Sequence, residues 1–469
     1  MRSATSDDLS ERESGLRRGL GKAQVVMIGL GGAIGTGLFL GSGLAVGYAG
    51  PSVIVSYALA GVLALIMILS LSEMAVMHPT AGSFGTYAEM YLNSWAGFVV
   101  RYTYWIAQVI AVGGESVAAG IYMQYWFPNV PVWAWALGFC AVILYLNSRS
   151  VANFGTVESW LAAIKVAAIV IFIILGIASI VGIGRPAVGL HNLTGLPGGF
   201  LPKGVAGLWL AVAVGIFSFV GIEVIAVTAG ETRNPEEAIP AAMRTMLVRL
   251  FLFYVLALAV IVTIAPWTDT GAKVVARSPF VTVLQHSGVR DAAGIMNFVV
   301  VSAALSGMNT DVYLCSRMLF SLSRGGYAPR ALGTLSGRGS PVAAIVISGI
   351  FVAIAAGASI FTPDAYADLL GVALFAMIIV WIFVLVSHLS FRRRHPAATL
   401  RVRMPFFPWM QYAGLAMLAA VLVTMGLNSN LEVSWLYGVP WFVLISLVYF
   451  ASRGRLRTAS ARSQAGTKG

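Results

Sequence analysis

Apolar residues run along this chain in long, nearly uninterrupted stretches, separated by short polar or charged ones. A helix needs about 20 mostly apolar residues to cross a bilayer. Twelve stretches meet or approach that length: about residues 23–47, 51–77, 95–125, 132–147, 155–181, 204–230, 244–265, 293–316, 341–359, 364–388, 409–428 and 436–451. They predict an all-α integral membrane protein with twelve transmembrane helices. A tail over residues 1–22 precedes them, and a tail over 452–469, rich in Arg, Ser, Ala and Gly, follows and is expected to be unstructured. The first tail is polar and charged and lacks the apolar core of a cleavable signal peptide.

Composition sharpens the picture. Of 469 residues, 58% are hydrophobic and only 10% are charged, against roughly 45–50% and about 25% in a soluble domain. So few charges cannot clothe a water-soluble surface, which excludes a soluble enzyme and a disordered regulator. A net charge of +12 invites nucleic-acid binding, but no basic face is interleaved with a soluble fold. With both termini cytoplasmic, 22 of the 30 Lys and Arg fall on the cytoplasmic side. Five (Arg185, Lys203, Lys273, Arg277 and Arg290) fall in the outer loops, and Arg101, Lys165 and Arg249 lie inside the stretches. This bias is the positive-inside pattern of a multi-pass protein of the plasma membrane. The basic loops then meet anionic lipid, and no nucleic acid.

Cys140 and Cys315 both lie in apolar stretches, which suggests packing rather than a disulfide or a metal site. There is no G-x-x-x-x-G-K-[ST], no H-E-x-x-H and no G-x-S-x-G. ATP-driven pumping and intramembrane proteolysis therefore lack their chemistry. A channel, a receptor or a gradient-driven carrier remains, and none of the three implies a cofactor beyond an ion gradient.

The first stretch carries five glycines in nine residues, Gly29-Leu30-Gly31-Gly32-Ala33-Ile34-Gly35-Thr36-Gly37. Each costs a helix about 1 kcal/mol against Ala. Small-xxx-small packing is one explanation. The other is an unwound segment near Ile34–Gly37 whose free amides face an anion. A second segment favours the break: Gly215-Ile216-Phe217-Ser218-Phe219-Val220-Gly221-Ile222-Glu223 puts Ser, Gly and a carboxylate in the middle of the sixth stretch. Interrupted segments at corresponding positions of two halves point to a transporter site. Stretches one and six correspond if the first ten helices form a five-plus-five repeat, and an odd repeat size makes the two halves inverted.

These residues also carry a resemblance. Gly31–Phe39 (GGAIGTGLF) resembles the first-helix motif of the amino acid–polyamine–organocation superfamily. Phe217–Pro235 is similar to its sixth helix and following loop, and Ser72–Tyr87, Phe154–Lys165 and Ser306–Gly326 match further motifs. Together they resemble the bacterial amino-acid-transporter family, including GABA, aromatic and proline permeases, from about Gly21 to Arg457. The resemblance implies a LeuT-type five-plus-five inverted repeat with helices 1 and 6 broken. The repeats would cover about 23–181 and 204–388 of a permease domain at 23–451, with two extra helices at about 409–451. It also implies proton-coupled amino acid uptake.

Ionisable groups at bilayer depth are costly and so become functional candidates. Glu158 and Lys165 share one face of the fifth stretch, about 10 Å apart along the axis. Glu158 lies nearer the cytoplasmic end; two readings are open to it, a role in proton coupling and gating, or an interfacial carboxylate bonding loop amides. Lys165 lies deeper, where loss of water disfavours its charge, so it is a candidate proton carrier or a tie to backbone carbonyls. The resemblance places such a lysine where sodium-coupled carriers hold an ion. Glu115 and Glu223 match acidic positions of the family and are candidates for proton coupling and gating. Asp311 departs from the family pattern. Two roles are open to it: selectivity toward an amine-bearing side chain, or pairing with Arg317. Glu73 and Arg101, near the cytoplasmic interface, suit gating salt bridges or anchoring.

The expected mechanism is proton–amino acid symport by alternating access. The substrate carboxylate would meet the backbone amides of Ile34, Gly35, Thr36 and Gly37. Its amino group would meet carbonyls around Phe217, Ser218 and Val220, and Phe217 would close over it. Lys165, with Glu115 or Glu223, would carry or sense the proton. Obligate exchange and a non-transporting sensor are the alternatives, though the short tails offer a sensor no signalling domain. The partners implied are an amino acid, a proton and the lipid bilayer. Neither the particular amino acid nor an oligomeric state is written in the pattern.

Overall fold

The computed structural model describes residues 12, 15–16, 18–149, 151–184, 186–268, 279–286, 288–337, 339–362, 365–396, 400, 403–428 and 431–466. Apolar stretches fold as helices because a backbone without water must satisfy its amides internally. The first stretch opens as α1 (Lys22–Ala33), stops, and resumes through a π-type turn at Gly37–Gly41 into α2 (Ser42–Ala49). A tight turn at Gly50–Ser52 leads into α3 (Val53–Met77). The short α4 (Ser83–Tyr91) precedes α5 (Ser94–Met123), which is capped by the Asn93 side chain accepting the Ala96 amide at 2.9 Å. Then come α6 (Val132–Asn147) and α7 (Val151–Val181).

The sixth stretch divides into α8 (Gly204–Ser218) and a one-turn α9 (Val224–Val227). Next is α10 (Pro235–Ile264), whose first residue is a proline, where the missing amide costs nothing. It is followed by α11 (Pro279–His286), α12 (Ala292–Arg324), α13 (Val342–Ala356), α14 (Ala365–Arg394), α15 (Trp409–Leu427) and α16 (Glu432–Gly466).

Among the described residues, nine helical segments are long and apolar enough to cross a membrane, and α6 and α8 are shorter apolar helices. The first of the nine, Lys22–Met77, contains two of the predicted stretches. The protein is therefore an all-helical, multi-pass membrane protein. Burial sorts the helices. The crossing windows of α5 and α12 are each 78% buried, whereas those of α15 and α16 are 28% and 22% buried. The central pair thus builds the interior, and the last two helices lie at the periphery. One boundary differs from expectation: α16 continues to Gly466 instead of ending near residue 451. The added residues include Leu456 and several Arg and Ala, good helix formers that extend an existing helix at little cost.

The two interrupted segments are stitched together at one end of the bundle. The Leu20 amide donates to the Glu231 carbonyl, and the Arg233 amide donates to the Leu20 carbonyl, each at 3.1 Å. The chain entering α1 is thereby fixed to the chain leaving α9. Beside this, Glu89 of α4 accepts from Arg12 and Arg101, both at 2.9 Å, and from the Tyr327 hydroxyl at 2.8 Å. Burial works to push the Glu89 carboxyl up. The Arg101 and Arg12 guanidiniums overcome that and hold it at about 2. Glu73 takes His388 and Arg392, each at 2.8 Å.

Candidate substrate and coupling site

The first break begins where Ile34 leaves helical geometry, at φ −91° and ψ 82°. Its consequence is a buried Thr36 amide freed from the helical ladder, which donates to Glu115 Oε1 of α5 at 3.0 Å. Gly35 makes room for that carboxyl: a Cβ there would stand 2.5 Å from Glu115 Oε1. On the carbonyl side of the break, the Lys165 ammonium of α7 donates to the Gly31 carbonyl and, at 2.6 Å, to the Ile34 carbonyl. Glu115 and Lys165 therefore hold the donor and acceptor ends of the same unwound segment.

Glu158 corrects an expectation. It does not bond loop amides at an interface; it is fully buried and accepts from Ser306 and, at 3.0 Å, from Asn309, both on α12. Gly31 leaves the space for its carboxyl against α1, and α12 supplies the donors. Asn147 of α6 joins the same cluster by donating to Asn309 Oδ1 at 2.9 Å.

At the second break, Gly221 has φ +100°, and any Cβ there would overlap the Gly32 carbonyl oxygen. The two broken segments thus touch backbone to backbone, and only glycine permits both the dihedral and the approach. Glu223 braces this turn. Its carboxyl accepts the Gly221 amide at 3.2 Å and the Tyr104 hydroxyl at 3.0 Å. Tyr254 of α10 ties the breaks to one another, its hydroxyl lying 2.6 Å from the Ala33 carbonyl and 2.8 Å from the Ser218 carbonyl. One hydroxyl has one proton, so it serves one carbonyl at a time. The Ser218 hydroxyl pairs with Tyr57 at 3.0 Å, and the Thr36 hydroxyl lies 3.3 Å from that of Tyr366.

Between the breaks lies a cavity of about 20 Å³. Gly35, Gly37, Phe217, Ser218, Val220, Glu115 and Asp311 line it. Lys165, Glu158 and Glu223 do not line it. Ile34 belongs elsewhere than expected: its amide still donates to Leu30, at 3.2 Å, and so continues the α1 ladder. The volume is that of about one water. A space of that size does not hold an amino acid. Pairing of Asp311 with Arg317 is also corrected, since the Arg317 guanidinium donates to Glu231 at 2.7 Å and stacks over the Tyr313 ring. Among the described residues, no group of three or more His, Cys, Asp or Glu could hold a metal ion.

Sequence reasoning overlooked Tyr254, Tyr104, Ser306 and Asn309. Each is a hydroxyl or amide set in a largely apolar helix, which is the signal that could have marked them.

Two interrupted helices meeting inside a multi-pass bundle, with buried ionisable groups of α5, α7 and the second break around them and a cavity between them, have the arrangement of a membrane transporter. The description "Amino acid permease" fits residues 24–458, and the chain belongs to that family. It is 39% identical to the gamma-aminobutyric acid permease of Bacillus subtilis (strain 168), over 97% of each chain. An uncharacterized amino acid permease of the same organism, YtnA, is 37% identical over 97% of this chain and 99% of its own. The aromatic amino acid transport protein AroP of Escherichia coli (strain K12) is 39% identical over 92% of this chain and 95% of its own.

Proposed function

We propose that this permease is a proton-coupled symporter that carries an amino acid into the cytoplasm by alternating access. It would sit in the plasma membrane with both termini cytoplasmic, an orientation supported by the 22-to-5 bias of its positive charges. The proposal includes twelve crossings, ten of them a LeuT-type inverted repeat with α1 and α8 as its broken members. The tails at 1–22 and 452–469 flank one permease domain at 23–451.

The observation that carries the reading is the Glu115 carboxyl on the Thr36 amide. A substrate carboxylate needs that amide, together with those of Gly35 and Gly37, and Glu115 occupies it. A proton on Glu115 weakens its hold, because a hydrogen bond to a charged acceptor is worth about 1.5–3 kcal/mol and one between neutral groups about 0.5–1.5. The proton thus clears the seat for the substrate, which couples the two. Lys165 keeps the Gly31 and Ile34 carbonyls in place during the exchange and senses the charge change across the same segment. The substrate amino group meets carbonyls at Phe217, Ser218 and Val220, and the Phe217 ring closes over it. Glu223 and Glu158 hold the two breaks against α5 and α12. When the cavity opens to the cytoplasm, loss of the proton returns Glu115 to Thr36 and expels the substrate.

Purified protein in liposomes, with an inward proton gradient and a panel of labelled amino acids, tests this. Accumulation of at least one amino acid that collapses with a protonophore supports symport. Uptake that ignores the gradient and requires amino acid inside the vesicle would replace symport with exchange.

A further inference from the structure

Asp311 is the one carboxyl around the cavity that the coupling scheme leaves unused. It is 7% exposed, lines the cavity, and makes no hydrogen bond with any described residue. Its neighbours are all engaged. Glu115 is on Thr36, Glu158 on Ser306 and Asn309, and Glu223 on Gly221 and Tyr104. The nearby cations are engaged as well, Lys165 with two carbonyls and Arg317 with Glu231. A buried carboxyl left without a protein partner is costly, and one that faces a cavity is placed to take a donor from outside.

We infer that Asp311 receives an ammonium borne on the substrate side chain, so that the preferred substrates are amino acids with a second amine. This rests on the permease reading above and specifies its substrate class. The register of α12 supplies the distance. Gly307 faces Glu115, with a Cβ there reaching 3.1 Å from the Glu115 carboxyl carbon. Asp311 lies one turn further along the same face, about 6 Å down the axis. When the substrate carboxylate takes the Thr36 amide in place of Glu115, its α-ammonium sits on the adjacent carbon and stays near the breaks. Asp311 is a turn away, within reach of an amine further out on the side chain. An ammonium suits the place chemically, since it brings three donors and relieves the repulsion of two carboxyls sharing one small cavity. A purely apolar side chain would leave Asp311 buried and unsatisfied.

The test uses the full-length protein in liposomes with a proton gradient. Uptake of lysine and ornithine is compared with that of norleucine and norvaline, neutral analogues of matching length. Wild type is expected to favour the diamino acids by about tenfold or more, as sites built to satisfy a buried polar group do. Asp311→Asn should reduce that ratio about tenfold, and Asp311→Glu should recover part of it. If Asp311→Asn does not fold, the wild-type ratio alone decides. A wild type that carries the neutral analogues as well as the diamino acids overturns the inference and leaves the permease reading intact, as does an unchanged ratio in Asp311→Asn. A protein that accumulates no amino acid at all overturns both.

Discussion

Glu115→Gln isolates the charge of the group that occupies the first break. Glutamine keeps the size of the side chain and one acceptor oxygen, so the contact with the Thr36 amide, 3.0 Å in wild type, can persist. What it loses is ionisation. Replacing a charged acceptor by a neutral one should loosen the hold on Thr36 by about 1–1.5 kcal/mol. Since a substrate carboxylate must displace this group, its affinity should rise about five- to tenfold. The variant should also bind equally well across acidic to alkaline pH, whereas wild type should bind more tightly toward acid. Coupling should disappear, because the seat no longer needs a proton to clear. Equilibrium binding of a labelled substrate in detergent or nanodiscs, repeated across pH, reads both effects. A Glu115→Gln protein that binds more weakly at every pH, or that keeps the wild-type pH slope, refutes displacement as the coupling step.

Lys165→Ala leaves the Gly31 and Ile34 carbonyls without their donor; gradient-driven accumulation should be lost while some binding survives, and wild-type pH dependence of transport would remove Lys165 from coupling. Tyr254→Phe removes the hydroxyl shared by the Ala33 and Ser218 carbonyls and should cost about 1–3 kcal/mol in stability, visible as a lowered melting temperature in detergent. Gly221→Ala forces a side chain into φ +100° and into the Gly32 carbonyl; folded yield should fall sharply, whereas Gly47→Ala, with open space around it, should behave as wild type. Glu89, held at about 2 against an ordinary value near 4.5, contributes about 3 kcal/mol that is fully present above the unfolded value and is lost as pH falls toward 2. The melting-temperature gap between wild type and Glu89→Gln should therefore be full at neutral pH and shrink below about pH 4.5; a gap that stays constant on acidification would contradict the ion-pair origin.

The hydrophobic pattern is legible because lipid imposes it: among the described residues, the nine helical segments long and apolar enough to cross a bilayer fall on the predicted stretches. The glycine run before Phe39 and the Ser-Gly run before Glu223 mark both breaks because glycines are costly in a helix and two such runs fall at corresponding positions of the chain. Apart from Lys165, for which a tie to backbone carbonyls was one of two readings, the partners of those breaks were not legible. Glu115 meets Thr36 across 79 positions and Tyr254 meets Ala33 across 221, and no local periodicity encodes which face of a distant helix turns inward. Glu158 shows the same limit in reverse. Its place near one end of an apolar stretch suggested an interface, but donors on α12 make a fully buried position tolerable. Asp311 beside Arg317 in sequence suggested a pair. A separation of six residues does not bring two side chains together on one helix, and Arg317 turns to Glu231 instead.

Proton movement driven by substrate tests the coupling most directly. Liposomes containing the protein are suspended in a weakly buffered medium with no imposed gradient, and the external pH is followed as the transported amino acid is added. Alkalinisation of the medium, proportional to the amino acid taken up and absent in Lys165→Ala, is the expected result. Amino acid entry with no change in external pH would contradict proton symport and leave the broken helices as the frame of an uncoupled or exchanging carrier.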